Sequence, residues 1–383
     1  MDIIEENDSP EKVDNLLAAA DELPHGASKI ALCEEAVRVA DSLNDIRLAY
    51  DARQDLVEAA VFGGRSDVML VAFTWCVAQF DRDPEAFDSY QLLWRFKWVA
   101  STLTRFPQID RPTIENLLLD MERRYRAAGA TMQPVWLKRR GAYLDMGDLE
   151  AAAEAHQHYM KAQRGDFSDC HACEVDSLVD YYFQLGKNAI GLKKANEIFQ
   201  GSLACGEVPH RTHAEVLMPL LKAADAASAM HHHRVGYPMI KDNSEFGRSQ
   251  AIHMAFLALT GNDARALRLL EKHIGPSFDG GDPQREFQFL RFSMLALEAI
   301  AERKKKAKLR LPALSPALEG EKEFVLVDLA TEFRRLALEH AGRYDERNDN
   351  DYHTRLVEET STWKKYATPM SFTKVGGGDP TGK

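Results

Sequence analysis

The sequence predicts an all-α chain, a right-handed solenoid of antiparallel helical hairpins with no β-sheet. Three observations predict it. Small residues at 147, 186, 224 and 261 recur at steps of 39, 38 and 37, and a second small residue follows each five positions on, at 152, 191, 229 and 266. Ile30, Cys33, Ala36, Val37 and Ala40 are spaced for one buried helical face. Gly63-Gly64 reads as a turn between antiparallel helices, and Pro84 as a helix stop.

Four rows come into register on these marks. They run Trp136, Tyr143, Gly147, Ala152, His156, Tyr159; then Val175, Tyr182, Gly186, Gly191, Ala195, Ile198; then His213, Leu220, Ala224, Ala229, His233, Gly236; then Gln250, Leu257, Gly261, Ala266, Leu270, His273. A small turn residue lets the chain reverse, and a small residue early in the second helix lets the two axes approach. Each hairpin alone leaves an apolar face exposed, so neighbours must stack to bury it.

This order of large, aromatic or Leu, small and small resembles the tetratricopeptide repeat, whose usual period is about 34 residues. The longer steps imply longer loops between hairpins. Asp169-Cys-His-Ala-Cys173, Glu207-Val-Pro-His-Arg-Thr212 and Phe256-Leu-Ala-Leu-Thr-Gly261 together are similar to bacterial tetratricopeptide-repeat proteins of unassigned function, a likeness covering most of the chain beyond about residue 26. The resemblance implies a superhelix whose first helices line a concave groove for protein segments, and it carries no biochemical activity. His156, Gly191 and Gly236 depart from the usual repeat pattern.

In chain order, residues 1–125 read as degenerate hairpins, 126–275 as the repeat core, 284–365 as helices continuing or capping the solenoid, and 366–383 as a disordered tail. Residues 1–10 look frayed. Helices are expected over 11–22, 27–43, 44–62, 66–81, 85–105 and 112–127. Tyr90, Leu93, Trp94, Phe96 and Trp98 fit core packing better than a ligand pocket. Past the repeats, a helix is expected over 284–306, an extended linker over 309–319, and helices over 321–341 and 350–364. The basic run from Arg303 reads as a solvated face. The tail from Thr368 looks too polar and Gly-rich to pack.

Composition excludes several function classes. The 383 residues carry a net charge of −11, which disfavours a nucleic-acid or anionic-membrane surface. No apolar run approaches the roughly 18 residues that span a bilayer, and the acidic N-terminus is no secretory signal. A cytoplasmic protein is expected. The common phosphate-binding, acyl-transfer and metalloprotease motifs do not occur, so no enzyme is expected.

The candidate site lies among five cysteines. Cys33 and Cys76 sit in apolar helical stripes and read as core. Cys170 and Cys173 open the first helix of a hairpin, and Cys205 follows its second helix, so all three fall at the same end. His210 opens the next hairpin at that end. Three thiolates and an imidazole suffice for one structural zinc ion that would staple neighbouring hairpins. Free thiols are the alternative, and His171 and His213 compete with His210 as ligand. His231-His-His233 make a poor metal site, since consecutive helical residues cannot converge; His233 is expected inward and the other two toward solvent.

Asp176, Asp180 and Gln184 on one first helix, with Arg211, Lys222 and Arg248 on the next two, would line the implied groove. The functional expectation is a scaffold or adaptor that binds an extended protein segment. A regulatory receptor for a signalling peptide is the alternative, and a metal-dependent enzyme using the cysteine cluster is the third.

Overall fold

The computed structural model describes residues 8–279, 281–316, 318 and 320–372. These are mostly helical and divide into two compact units. One takes the described residues of Met1–Asp169 with Phe278–Gln284 and Arg343–Tyr352; the other takes those of Cys170–Ser277, Arg285–Gly342 and His353–Lys383.

The first stretch holds α1 (Pro10–Asp21), α2 (Ala27–Ser42), α3 (Ile46–Gly63), α4 (Ser66–Arg82), α5 (Ser89–Thr102), α6 (Arg111–Ala127), α7 (Gln133–Asp145) and α8 (Leu149–Lys161). Side chains of Ser9, Asp45, Asp88, Asp110 and Asp148 accept backbone N–H groups at the starts of α1, α3, α5, α6 and α8, satisfying donors that a helix start leaves open. Leu92, Phe96 and Val99 of α5 are fully buried, and Phe96 meets Phe73 edge-on at 4.7 Å. Leu93 and Phe96 of the aromatic run are core, Trp94 and Trp98 are half-buried, and Tyr90 is exposed.

The chain continues as α9 (His171–Gln184), α10 (Asn188–Gln200), α11 (His210–Glu215), α12 (Leu217–Lys222), α13 (Ala226–Ile240), α14 (Gly247–Leu259), α15 (Asp263–Phe278) and α16 (Pro283–Ala301). The segment expected as one helix from His210 is broken at Val216. Pro219 has no N–H to give the carbonyl of Glu215, four residues back.

The four turn positions share one geometry. Gly147, Gly186, Ala224 and Gly261 adopt φ of 76°, 69°, 59° and 76°. The next residue's N–H donates to the carbonyl five back: Asp148 to Tyr143, Lys187 to Tyr182, Asp225 to Leu220 and Asn262 to Leu257, at 2.8–2.9 Å. This is the left-handed helix ending that satisfies a terminal carbonyl. The second small positions are buried, and a Cβ on Gly191 would lie 2.4 Å from the Phe183 ring.

Two expectations fail here. The chain does contain a sheet: β1 (Lys306–Leu311) pairs antiparallel with β2 (Gly320–Val325), Lys306 opposite Val325 and Leu311 opposite Gly320. β1 alternates strictly, with Ala307, Leu309 and Leu311 buried and Lys306, Lys308 and Arg310 outward. Alternation with period two specifies a half-buried strand, and Lys306, expected as a helix end, forms its outer face with Lys308 and Arg310, expected beyond that end. After it come α17 (Leu326–Asn348) and α18 (Tyr352–Thr362).

The second failure is the tail. Residues 368–372 are held by main-chain hydrogen bonds: Thr368 donates its N–H to the Leu259 carbonyl and Met370 to the Thr260 carbonyl, each at 2.9 Å. Residues 373–383, and 1–7 at the other end, lie outside the described residues. Asp8 accepts from Ser42 at 2.8 Å and from Arg38 at 3.3 Å, so the start of α1 is tied down rather than frayed.

Candidate metal centre and the ion-paired strip beside it

The α9–α10 hairpin brings three thiols together. Cys170 caps α9, its Sγ accepting the Cys173 backbone N–H at 3.4 Å. Cys173 is one turn into α9, and Cys205 follows α10 in a loop closed by its own N–H donating to the Val208 carbonyl at 2.8 Å. Cys173 Sγ and Cys205 Sγ are 3.2 Å apart, and the three sulfurs lie within 4.8 Å of one another. Cys170 is exposed, whereas Cys173 and Cys205 are half-buried.

The surroundings distinguish the thiols. Burial, the contact with Cys205 and that with Cys170 push the Cys173 thiol up. Burial also opposes ionisation of Cys205, but the backbone N–H groups of Glu207 and Val208 and the Cys173 thiol bring it below the ordinary thiol range. A sulfur that accepts several hydrogen bonds holds negative charge well. Three cysteine sulfurs gathered this closely are a donor set that fits a thiophilic metal.

His210 is not in this group. Its ring stacks on Phe246 at 5.9 Å between centroids, and its Nδ1 is buried without a hydrogen-bond partner. The expected fourth ligand is therefore missing among the described residues, and the three ligands that do meet belong to a single hairpin.

The residues expected to line a groove also meet, though chiefly with one another. Asp176 is 2% exposed and accepts from Arg211 Nε and Thr212 Oγ1. Arg211 also pairs with Glu207. Asp180 accepts from Gln184 and, at 3.4 Å, from Arg248, which donates to Glu215 at 2.8 Å. The result is one ion-paired strip across α9, α11 and α14. Asp176 is interior, not an exposed groove carboxylate, because Arg211 and Thr212 of the next hairpin close over it. Burial and the nearby Asp176 push Glu215 up to about 8 against the pull of Arg248. Lys222 points elsewhere, 3.9 Å from the Trp363 ring centre and 3.9 Å from Glu359.

Beyond the strip lies a histidine cluster whose extent sequence reasoning missed. His213 and His232 meet Nδ1 to Nδ1 at 2.9 Å, His233 and His253 at 3.0 Å, and Tyr237 Oη and His273 Nε2 at 3.0 Å. His233 is inward as expected, but His232 turns to His213 instead of solvent. Gly236 makes room: a Cβ there would lie 2.3 Å from the His213 Cβ. Burial first, then neighbouring cations and rings, lowers His213, His232, His233 and His273 to about 4, and His253 lies well below its ordinary value. The recurrence of His at or beside repeat positions 213, 233 and 273 was the available signal.

Compared with known proteins, the chain matches no family model and no curated protein. No helix among the described residues is long and apolar enough to cross a membrane.

Proposed function

We propose that the chain is a helical-repeat scaffold that binds an extended protein segment, with consecutive hairpins stacked as a right-handed solenoid. One observation carries the reading. The ion-paired strip ties α9 to α11 and α14, which are the opening helices of three consecutive hairpins. Side-by-side first helices are what a segment-binding groove needs, and fixed alternating charges suit the polar main chain of an extended partner. Cross-linking of the purified chain with its partners, read by mass spectrometry, is expected to return one stoichiometric protein joined through residues flanking this strip. Cross-links confined to other surfaces would overturn the reading.

The three cysteines are proposed to hold one zinc ion. Zinc takes three thiolates with a fourth ligand at about 2.0–2.3 Å in a tetrahedron, and here it would fasten the end of α10 to the start of α9. Metal analysis is expected to find one zinc per chain, lost in Cys173→Ser and kept in His210→Ala. Loss in His210→Ala would restore the histidine as ligand. Because three side chains converge among the described residues, a second reading has a metal-bound water at the fourth position and metal-assisted chemistry. X-ray absorption separates the two: a fourth ligand from a protein or partner side chain supports the structural role, and an exchangeable oxygen supports the chemical one.

A further inference from the structure

The end of the described chain lies in a cleft of the α13–α14–α15 region. Thr368 and Met370 donate N–H groups to the carbonyls of Leu259 and Thr260, each at 2.9 Å, and Asn262 Nδ2 donates back to the Met370 carbonyl at 3.2 Å. These carbonyls and the Asn262 amide stand at the turn that ends α14. They read main chain at alternate residues and make no demand on side-chain type, which is how an exposed backbone recognises an extended segment.

Side-chain selection falls to Phe372. Its ring lies 3.8 Å from the Arg265 guanidinium, 5.4 Å from that of Arg234, and edge-on to His233 at 5.7 Å. It does not fill the cleft. A cavity of about 150 Å³ remains among Phe372, His233, Tyr237, Leu257, Leu269, Arg265 and Arg268. Arg265 and Arg268 are both exposed, and among the described residues neither has a carboxylate partner. Arg265 meets an aromatic face instead, an interaction that a carboxylate would supplement rather than displace.

We propose that this cleft is a recognition site for an extended, acidic segment of a partner protein carrying an aromatic residue, and that residues 368–372 occupy it in cis. The inference deepens the segment-binding reading and rests on it, while placing the contact away from the ion-paired strip. Charge selects the occupant: the Arg265 and Arg268 guanidiniums, without carboxylate partners among the described residues and beside an aromatic slot, favour carboxylates next to the ring. A tethered tail competes at an effective concentration in the millimolar range, so the site is closed until a better-matched segment displaces the tail.

The test uses the full-length chain and two labelled peptides, one carrying the sequence of residues 364–374 and one the same with Ser371→Glu. In Phe372→Ala the tail loses its anchor, and proton exchange at the Met370 amide is expected to rise. Fluorescence anisotropy should then show the first peptide binding about tenfold tighter than to the unaltered chain. The acidic peptide should bind about fivefold tighter again, a gain that Arg265→Ala with Arg268→Ala removes. If Met370 exchange does not rise, Met370→Pro, which deletes the amide donor, takes the place of Phe372→Ala. A released tail with neither peptide bound overturns the proposal, and so does an acidic gain that survives loss of both arginines. Failure here alongside a partner cross-linked at the strip would leave the broader reading standing.

Discussion

Two hairpins, α9–α10 and α14–α15, close with the same left-handed turn and hydrogen bond but are held together by different means. In α14 every residue from Ser249 to Leu259 is buried, and Phe256 sits in its middle. Apart from Tyr181, the α9–α10 hairpin buries small and medium apolar side chains, among them Ala172, Val175, Val179, Ala195 and Ile198, and leaves Ile190 44% exposed. A turn therefore sets where a hairpin reverses but not how strongly its helices cohere. Where apolar area is thin, polar and sulfur chemistry gathers: the three thiols and the Asp176 pair both sit on the weaker hairpin.

The sharpest way to break this comparison is to cut one buried apolar side chain from each hairpin. Phe256→Ala should cost about 3–5 kcal/mol and Ile198→Ala about 2 kcal/mol, read from urea denaturation followed by circular dichroism. Equal losses would mean that the two hairpins share one cooperative core.

The strip offers the next contrast. Removing one partner of a buried pair costs about 3–5 kcal/mol. Asp176→Asn should lie at the low end, about 3 kcal/mol, because Arg211 keeps Glu207 and is 32% exposed. Asp180, with a side chain 33% exposed, should lose at most about 1 kcal/mol as Asp180→Asn. The Asp176 loss bears on the sequence reading, in which both carboxylates line one groove. A similar loss for both variants would show that burial does not separate them.

That misreading shows which parts of the structure were legible. Turn positions were, because a left-handed φ demands a small residue wherever the hairpin reverses. So was the meeting of the cysteines, because antiparallel helices put the start of the first and the end of the second at one end. Asp176 and Asp180 share a helix face at a spacing of four, and only the next hairpin's Arg211 and Thr212 bury one and not the other. His210 was misplaced for a similar reason: its position in sequence is right, and its ring is claimed by Phe246. The period-two pattern of Lys306–Leu311 was present but was outweighed by its basic content. The hydrogen-bonded tail left no sequence signal, since main-chain hydrogen bonds are blind to residue type.

The histidines set the two regions apart in acid. The folded pKa values of His213, His232, His233 and His273 lie at about 4 and that of His253 well below its ordinary value, against about 6.5 in the unfolded chain. Above pH 6.5 both states are neutral and the shift has no effect. Between 6.5 and 4 the unfolded chain takes up protons that the folded chain refuses, so stability falls as pH falls. Glu215, raised to about 8, works the other way between about 4.5 and 8 and offsets part of the loss. Denaturation midpoints should fall from pH 6.5 to pH 4, and more gently in His273→Gln. A flat profile would mean that the rings take up protons in the folded state as readily as in the unfolded one.

The smallest expected effect tests the shared turn itself. Three of the four turns use glycine, and the fourth uses Ala224 at φ of 59°. A Cβ in the left-handed region costs roughly 1–2 kcal/mol, while glycine gives the unfolded chain extra freedom worth about 0.4–1 kcal/mol. The first term is the larger, so Ala224→Gly should stabilise the chain by about 0.5–1 kcal/mol. The reverse change at Gly186, where φ is 69° and an added methyl would meet nothing within 4 Å, should cost a similar amount. Gly147→Ala should cost more, because the methyl would also lie 2.4 Å from Tyr352. Thermal denaturation of the three variants reads the series directly. A destabilised Ala224→Gly would show that the Ala224 methyl makes a packing contact worth more than the strain it carries, and that the four turns are not equivalent.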